Sequence, residues 1–267
     1  MRIYCTLLVK DEADIIVSSL KKVLTWADEV FVIDNGSRDG TLEILNGLSP
    51  KIHVLGVFYE QFVEGLRSIP FNYINQSGMF PPADWWCRMD ADEVYLDNPR
   101  DFLSKVPPQY SRVCTNTVEF VTLMDDGESL LSAESYKYFI PLDWSETRFF
   151  RNLTGLAWDK ITSGEPNGIG AAYPERIKVL HFLFRSYDQI QNRISIRKQN
   201  RERTGIGWSN SDYENVDDLL TNYNKENRIP YQGQLVFKST ASNFLATPTA
   251  KFKNIIKIIL YKLGAYR

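Results

Sequence analysis

The sequence is short of several things at once. Of its 267 residues only two are histidine, His53 and His181, and only three are cysteine, Cys5, Cys87 and Cys114. The cysteines are far apart, odd in number and without metal-binding spacing. They read as buried, reduced thiols in a cytosolic setting. No apolar run approaches the roughly 18 residues that a membrane-crossing helix needs, so none is expected. The leading MRIYCTLLVKDEAD has too short an apolar stretch for a signal peptide, and the chain is read as cytoplasmic. With 31 basic against 33 acidic side chains the net charge is -2, so bulk charge implies no nucleic-acid partner. Neither GxGxxG nor GxxxxGK[ST] occurs, which removes the usual glycine-rich phosphate cradles. The last 41 residues, 227–267, contain no Asp or Glu.

What is present is ordinary globular material with many rings. A 43% hydrophobic chain of this length suits one large domain, or one domain with an appendage. The 6 tryptophans and 14 tyrosines are suited both to filling a core and to stacking on sugars or bases. Residues 3–9 form an apolar run with little alternation, as in a strand buried on both faces. A helix is predicted over 11–24, with Ile15, Ile16, Leu20, Val23 and Leu24 on one side. Strands at 29–33 and 51–57 follow, separated by a turn at Asn35, Gly36 and Ser37 and a helix over 39–45. A helical stretch over 60–76 leads to a strand at 85–89. This alternation predicts an α/β fold with a mostly parallel, Rossmann-like sheet and right-handed crossovers. Later strands are predicted at 113–123, 136–140, 147–150 and 177–183, with a polar turn at Asp125, Asp126 and Gly127. A helix over 186–203 follows. The expected domains are a catalytic domain over 1–226, with halves at 1–110 and 111–226, and a basic extension over 227–267.

In open parallel sheets ligands lie beyond the carboxyl ends of the strands. Three acidic clusters fall at such ends: Asp11 and Glu12, then Asp34 and Asp39, then Asp90, Asp92 and Glu93. One acidic turn alone is usually just solvated. Three on one rim suggest a hard divalent cation, Mg²⁺ or Mn²⁺, whose shell substrate phosphates complete.

The stretches TLLVKDEADII, VFVIDNGSRDGTLEIL and WWCRMDADEVYL resemble family-2 glycosyltransferases of the GT-A fold over residues 1 to about 100. The resemblance implies a UDP- or GDP-type nucleotide-sugar donor, a saccharide or lipid-linked acceptor, inversion at the anomeric carbon, and a role in polysaccharide biosynthesis of the cell envelope. It also implies roles by position. Thr6 and Glu12 would line the nucleoside pocket, Asp34 would accept from base or ribose, and Asp39 would shape that loop. Asp90 would face the ribose or a metal-bound water, Asp92 would hold Mn²⁺ or Mg²⁺ against the diphosphate, and Arg67 would lie near the nucleotide. Each has a plain structural alternative: an Asx turn for Asp34, a helix cap for Asp39, first-turn charge for Glu12.

The acceptor hydroxyl must lose a proton as it attacks, which calls for a base across the sugar. Relatives carry a His-Glu pair after a Trp-containing segment. Here RFFRNLTGLAWDKITSGEP keeps Phe150, Arg151 and Trp158 but lacks the pair, leaving Glu165 and then Asp159 as candidates. His181 resembles a late histidine of related enzymes that would serve as a third metal ligand or touch the diphosphate, with Arg185 as a phosphate clamp. His53 reads as structural. Two other classes stay open: a nucleotide- or sugar-binding module without catalysis, and a nucleotidyl or phosphoryl transferase. Residues 251–263 (KFKNIIKIILYKL) alternate lysines with apolar residues at helical spacing. They predict either a helix lying on an anionic membrane or one packed on the body with its lysines outward.

Overall fold

The computed structural model describes residues 1–59, 62–123, 130–159, 164–204, 213–238 and 245–264. The polar turn expected at Asp125, Asp126 and Gly127 lies outside them. The chain forms two compact units that interleave along the sequence. The first is Met1–Asn116, Asp143–Val179 and Lys238–Arg267; the second is Thr117–Leu142 and Leu180–Phe237. Of the stretch 227–267, residues 227–237 fall in the second unit and 238–267 in the first.

The first unit is built on four parallel strands, β1 (Ile3–Val9), β2 (Glu29–Asp34), β3 (Ile52–Val57) and β4 (Trp85–Met89), in the order β4-β1-β2-β3. Every side chain of β1 and β4 is buried, as unalternating apolar runs require. Beyond β4 the sheet turns antiparallel, through β8 (Thr147–Arg151) to the first part of β6 (Tyr110–Leu123). The sheet is parallel over β4-β1-β2-β3, as predicted, and mixed beyond it. Short β5 (Glu93–Tyr95) and β9 (Ala171–Ala172) lie off this path, and β10 (Ile177–His181) pairs with β5 and β6.

Helix α1 (Ile16–Val23) starts five residues later than its apolar periodicity suggests. The reason is local: Asp11 stands at φ 54, and the amides of residues 11–13 bond to side chains of the next loop instead of opening a helix. Helix α2 (Thr41–Leu48) follows β2. The stretch expected as one helix over 60–76 is a 3₁₀ turn, Glu64–Arg67, running into α3 (Ser68–Ser77), which Gly78 ends at φ 65. Helix α4 (Pro99–Ser104) begins with Asn98 capping the amides of Arg100 and Asp101.

The aromatic content fills both faces of this sheet. On one face Trp86 makes edge contacts with Tyr4 at 5.6 Å and Phe71 at 5.3 Å, and Phe150 and Trp158 join the same cluster. On the other, Phe149 meets Trp26 and Tyr95. All three cysteines are free and buried. Helix α7 (Pro248–Lys262) closes the chain beside β9.

In the second unit the rest of β6 pairs with β7 (Tyr136–Pro141), and β7 with β11 (Ile229–Pro230), all antiparallel. Helices α5 (Tyr187–Thr204) and α6 (Val216–Asn222) contribute Ile190, Ile194, Val216 and Leu219 to a core with Val121 and Ile140.

Trp86 is fully buried between rings that cannot collapse onto the space it fills. Replacing it with Ala is expected to cost about 3–5 kcal/mol of unfolding free energy, read from the urea midpoint at unchanged m-value.

Candidate functional site

Because β1 lies between β2 and β4, and all three run parallel, the three acidic segments reach one edge of the sheet. Val9 is in register with Asp34, and Leu7 with Met89. The first two segments are tied together by side chains. The Asp11 amide donates to Ser37 Oγ at 3.0 Å, the Arg38 amide to Asp11 Oδ1 at 2.8 Å, and the Ala13 amide to Asp39 Oδ2 at 2.8 Å. Asp39 also accepts from the Thr41 amide and hydroxyl, at 3.0 and 2.6 Å. Burial works to raise its carboxyl pKa, but these bonds outweigh that and hold it below the ordinary value. Asp39 therefore shapes the loop. The Glu12 amide donates to Thr41 Oγ1, so Glu12 sits in this loop ahead of α1 and not in the helix's first turn.

Asp34 is fully buried. Its Oδ1 closes an Asx turn, accepting from the amides of Gly36 and Ser37 at 2.8 Å each. Its Oδ2 is buried without a hydrogen-bond partner. A buried carboxylate oxygen left unpaired is costly, and such an atom marks a place where a donor fits.

The third segment is held by arginines. Arg148, on β8, donates to Glu93 at 2.9 and 2.6 Å and to Asp90 Oδ2 at 2.6 Å, and lies 2.7 Å from Glu146. Arg67, at the end of the 3₁₀ turn, pairs with Asp90 Oδ1 and with Glu64. Thr6 donates its hydroxyl to the Arg67 carbonyl at 3.0 Å, which fixes that turn against β1. Burial would lower the proton affinity of Arg148, but Asp90, Glu93 and Glu146 reverse this and hold the guanidinium firmly charged. Asp90, in turn, is pushed up by burial and pulled down further by Arg148 and Arg67, ending below the usual carboxylate value. Asp92 is 3% exposed within the same turn, and its charge opposes ionisation of Asp90.

Arg88 is the side chain that sequence reasoning passed over. It sits mid-strand on β4, 8% exposed. Its nearest carboxylates, Glu146 and Glu64, are 3.7 and 3.9 Å away, and its Nε is buried without a partner. Burial, then Arg148 and Arg67, lower its proton affinity. The available signal was the charge itself: an arginine inside a fully buried strand must be compensated by something. Arg148, within the apolar β8, carried the same signal.

Of the candidate bases, Glu165 stands 3.6 Å from Arg112 and is 31% exposed. A Cβ added to its neighbour Gly164 would meet Glu64 Cβ at 3.6 Å and the Arg88 guanidinium at 3.7 Å. Asp159 is exposed, just after the buried Trp158, and Ser163 lies outside the described residues. The remaining candidates belong to the second unit. There His181 pairs with the buried Glu119 at 3.3 Å, and the fully buried Arg185 donates to the Phe182 carbonyl at 3.2 Å. His53 bonds Glu29 at 2.7 Å and stacks on Phe31, in keeping with a structural role. A cavity of about 830 Å³ lined by Phe71, Asn75, Phe80 and Asn152 opens at the amino end of β4, away from the acidic turn.

No family model and no curated protein matches the sequence. Among solved structures, S. aureus TarS 1-349 resembles the chain with a TM-score of 0.36 at 13% identity, covering 74% of this chain and 66% of that one. A second S. aureus TarS structure gives 0.36 at 15%, covering 82% and 41%. HddC from Yersinia pseudotuberculosis gives 0.32 at 8%, covering 57% and 74%. The chain thus spans less than two thirds of either TarS chain. Likenesses this remote carry no argument about activity, which has to rest on the chain's own residues.

The Asp90 cluster makes a prediction about stability. A carboxylate whose folded pKa is depressed contributes stability above its unfolded value of about 3.9 and loses it as pH falls through the folded value. Asp90→Asn is therefore expected to lower unfolding free energy at pH 7 by about 2 kcal/mol, less than for a fully buried pair because Asp90 keeps 29% exposure. The gap to wild type narrows below about pH 4, as urea unfolding at pH 7 and pH 3.5 would show.

Proposed function

We propose that the chain is a glycosyltransferase of the GT-A, family-2 type. It moves a sugar, with inversion, from a UDP- or GDP-type nucleotide sugar to a hydroxyl of a saccharide or lipid-linked acceptor. The observation that carries this reading is the unpartnered Asp34 Oδ2 on the acidic edge of a parallel sheet. Uracil and guanine each present a ring N–H that such an oxygen accepts, and a ribose hydroxyl is the other donor of suitable size.

The charge balance fits a divalent cation. Around the third acidic segment stand three guanidiniums, Arg67, Arg88 and Arg148, and five carboxylates, Glu64, Asp90, Asp92, Glu93 and Glu146. Five negative against three positive charges leave two negative, which a divalent ion offsets. Asp92, buried in the acidic turn, is the carboxylate the resemblance assigns to Mn²⁺ or Mg²⁺, with the donor's phosphates completing the shell. Bound there, such an ion would stabilise negative charge on the departing nucleoside diphosphate. The chain's own residues do the rest. Asp34 orients the base or ribose, Arg67 and Arg148 hold the Asp90–Glu93 turn rigid, and Arg88 offers a buried cation to an anionic group. Glu165 is assigned as the base that takes the acceptor's proton, since it is partly exposed and follows Gly164, whose added Cβ would face Arg88 and Glu64.

With Mn²⁺ and an accepted nucleotide sugar, wild type is expected to release nucleoside diphosphate. Asp92→Ala is expected to lower kcat by roughly a hundredfold or more. Binding of UDP or GDP with no turnover on any donor, hydrolysis included, would make the chain a binding module instead.

Glu165→Gln separates the base from donor binding. It is expected to lower kcat by about 10²–10⁴ while donor KM stays near wild type. The same loss in Asp159→Asn, with Glu165→Gln unaffected, would move the assignment to Asp159.

A further inference from the structure

Helix α7 wears its amphipathic character the wrong way round for a helix that packs on its own domain. Two of its polar side chains, Asn254 and Lys257, face inward. The Asn254 side chain donates to the Ala172 carbonyl at 3.0 Å and accepts from the Ala172 amide at 2.7 Å, occupying β9 as a further strand would. Lys257 Nζ donates to the carbonyls of Ile169 and Gly170 at 3.0 and 3.3 Å. The large apolar side chains face outward: Phe252 is 63% exposed, Ile255 53%, Ile256 38%, Ile259 50% and Leu263 76%. At 100° per residue these five fall within an arc of about 100°. Exposed Lys251 and Lys262 flank this stripe on one side and exposed Lys253 on the other. The helix thus packs on the body through Asn254 and Lys257 while leaving an apolar stripe, flanked by lysines, in water.

An apolar stripe of this kind left in water is a binding surface. Its occupant follows from charge. No acidic residue occurs anywhere in 227–267. A second copy docking through the same stripe would bring lysines against lysines, since a two-fold contact is made of the same patch twice. A lipid surface carrying phosphate charge complements both features at once. At 15 residues the helix is far too short to cross a bilayer, and no described helix is long and apolar enough to do so. We propose that α7 is an in-plane membrane-binding helix that seats Phe252, Ile255, Ile256, Ile259 and Leu263 in an anionic lipid surface, with Lys251, Lys253 and Lys262 at the headgroups.

Co-sedimentation of the full chain with lipid vesicles tests this. Wild type is expected to pellet with vesicles containing phosphatidylglycerol, less so at raised salt, and weakly with pure phosphatidylcholine. Ile255→Ser with Ile259→Ser is expected to lower partitioning about tenfold or more. Lys251→Gln with Lys253→Gln is expected to lower it on the anionic vesicles alone. All four positions are exposed, so circular dichroism and melting temperature should match wild type in both variants. Wild type that stays in the supernatant with phosphatidylglycerol vesicles overturns the proposal. So does a dimer in sedimentation velocity that the isoleucine variant breaks, with no vesicle binding by either. Vesicle binding needs no donor sugar, so its failure would leave the glycosyl-transfer reading standing.

Discussion

The guanidinium of Arg148 is the interaction on which the candidate site depends. It is 4% exposed and meets three carboxylates, Asp90, Glu93 and Glu146. A lone buried cation would be prohibitive, and so would the acidic turn if left to its own repulsion. Each makes the other possible. The result ties the exit of β4, strand β5 and strand β8 at one point, with Arg67 joining the 3₁₀ turn to the same carboxylate. Asp92 is thereby carried on a turn whose neighbours are fixed by charge.

That network also changes what the acidic motif is. Read from the sequence, the resemblance gives Asp92 the cation and sets Asp90 toward the ribose or a metal-bound water, without saying what holds the turn. In the fold Glu93 is bound at both oxygens by Arg148, and Asp90 is shared between two arginines. The three carboxylates have different tasks, and the difference comes from residues about 20 to 60 positions away in the chain. A similar division holds for Asp34, whose one oxygen shapes the turn while the other is available to a ligand donor.

The parallel sheet was legible because strands buried on both faces read as apolar runs with little alternation, as β1 and β2 do, and as β4 does apart from Arg88. The acidic edge followed from that, since strand ends in a parallel sheet share a side. Four things were not legible. The start of α1 was hidden because periodicity cannot see Asp39 and Ser37 drawing the loop amides away from a helix. The partners of Arg88 and Arg148 were hidden because long-range ion pairs leave no local pattern, although charges inside apolar strands announced that partners must exist. The local pattern around His181 and Arg185 did not show that Glu119 and the Phe182 carbonyl lie against them. The lysine-apolar repeat of α7 fitted two orientations equally, and only the hydrogen bonds of Asn254 and Lys257 fix which face is inward.

The central claim is that Asp34 Oδ2 receives a donor from a nucleotide, and calorimetric titration tests it most directly. Asp34→Asn keeps an oxygen for the Gly36 and Ser37 amides but presents N–H groups where the free oxygen stood. The account predicts that wild type binds UDP or GDP in the presence of Mn²⁺, and that Asp34→Asn binds it roughly ten- to a hundredfold more weakly, the worth of a hydrogen bond to a charged group. Equal affinity in the two proteins, with their melting temperatures matched, would contradict it.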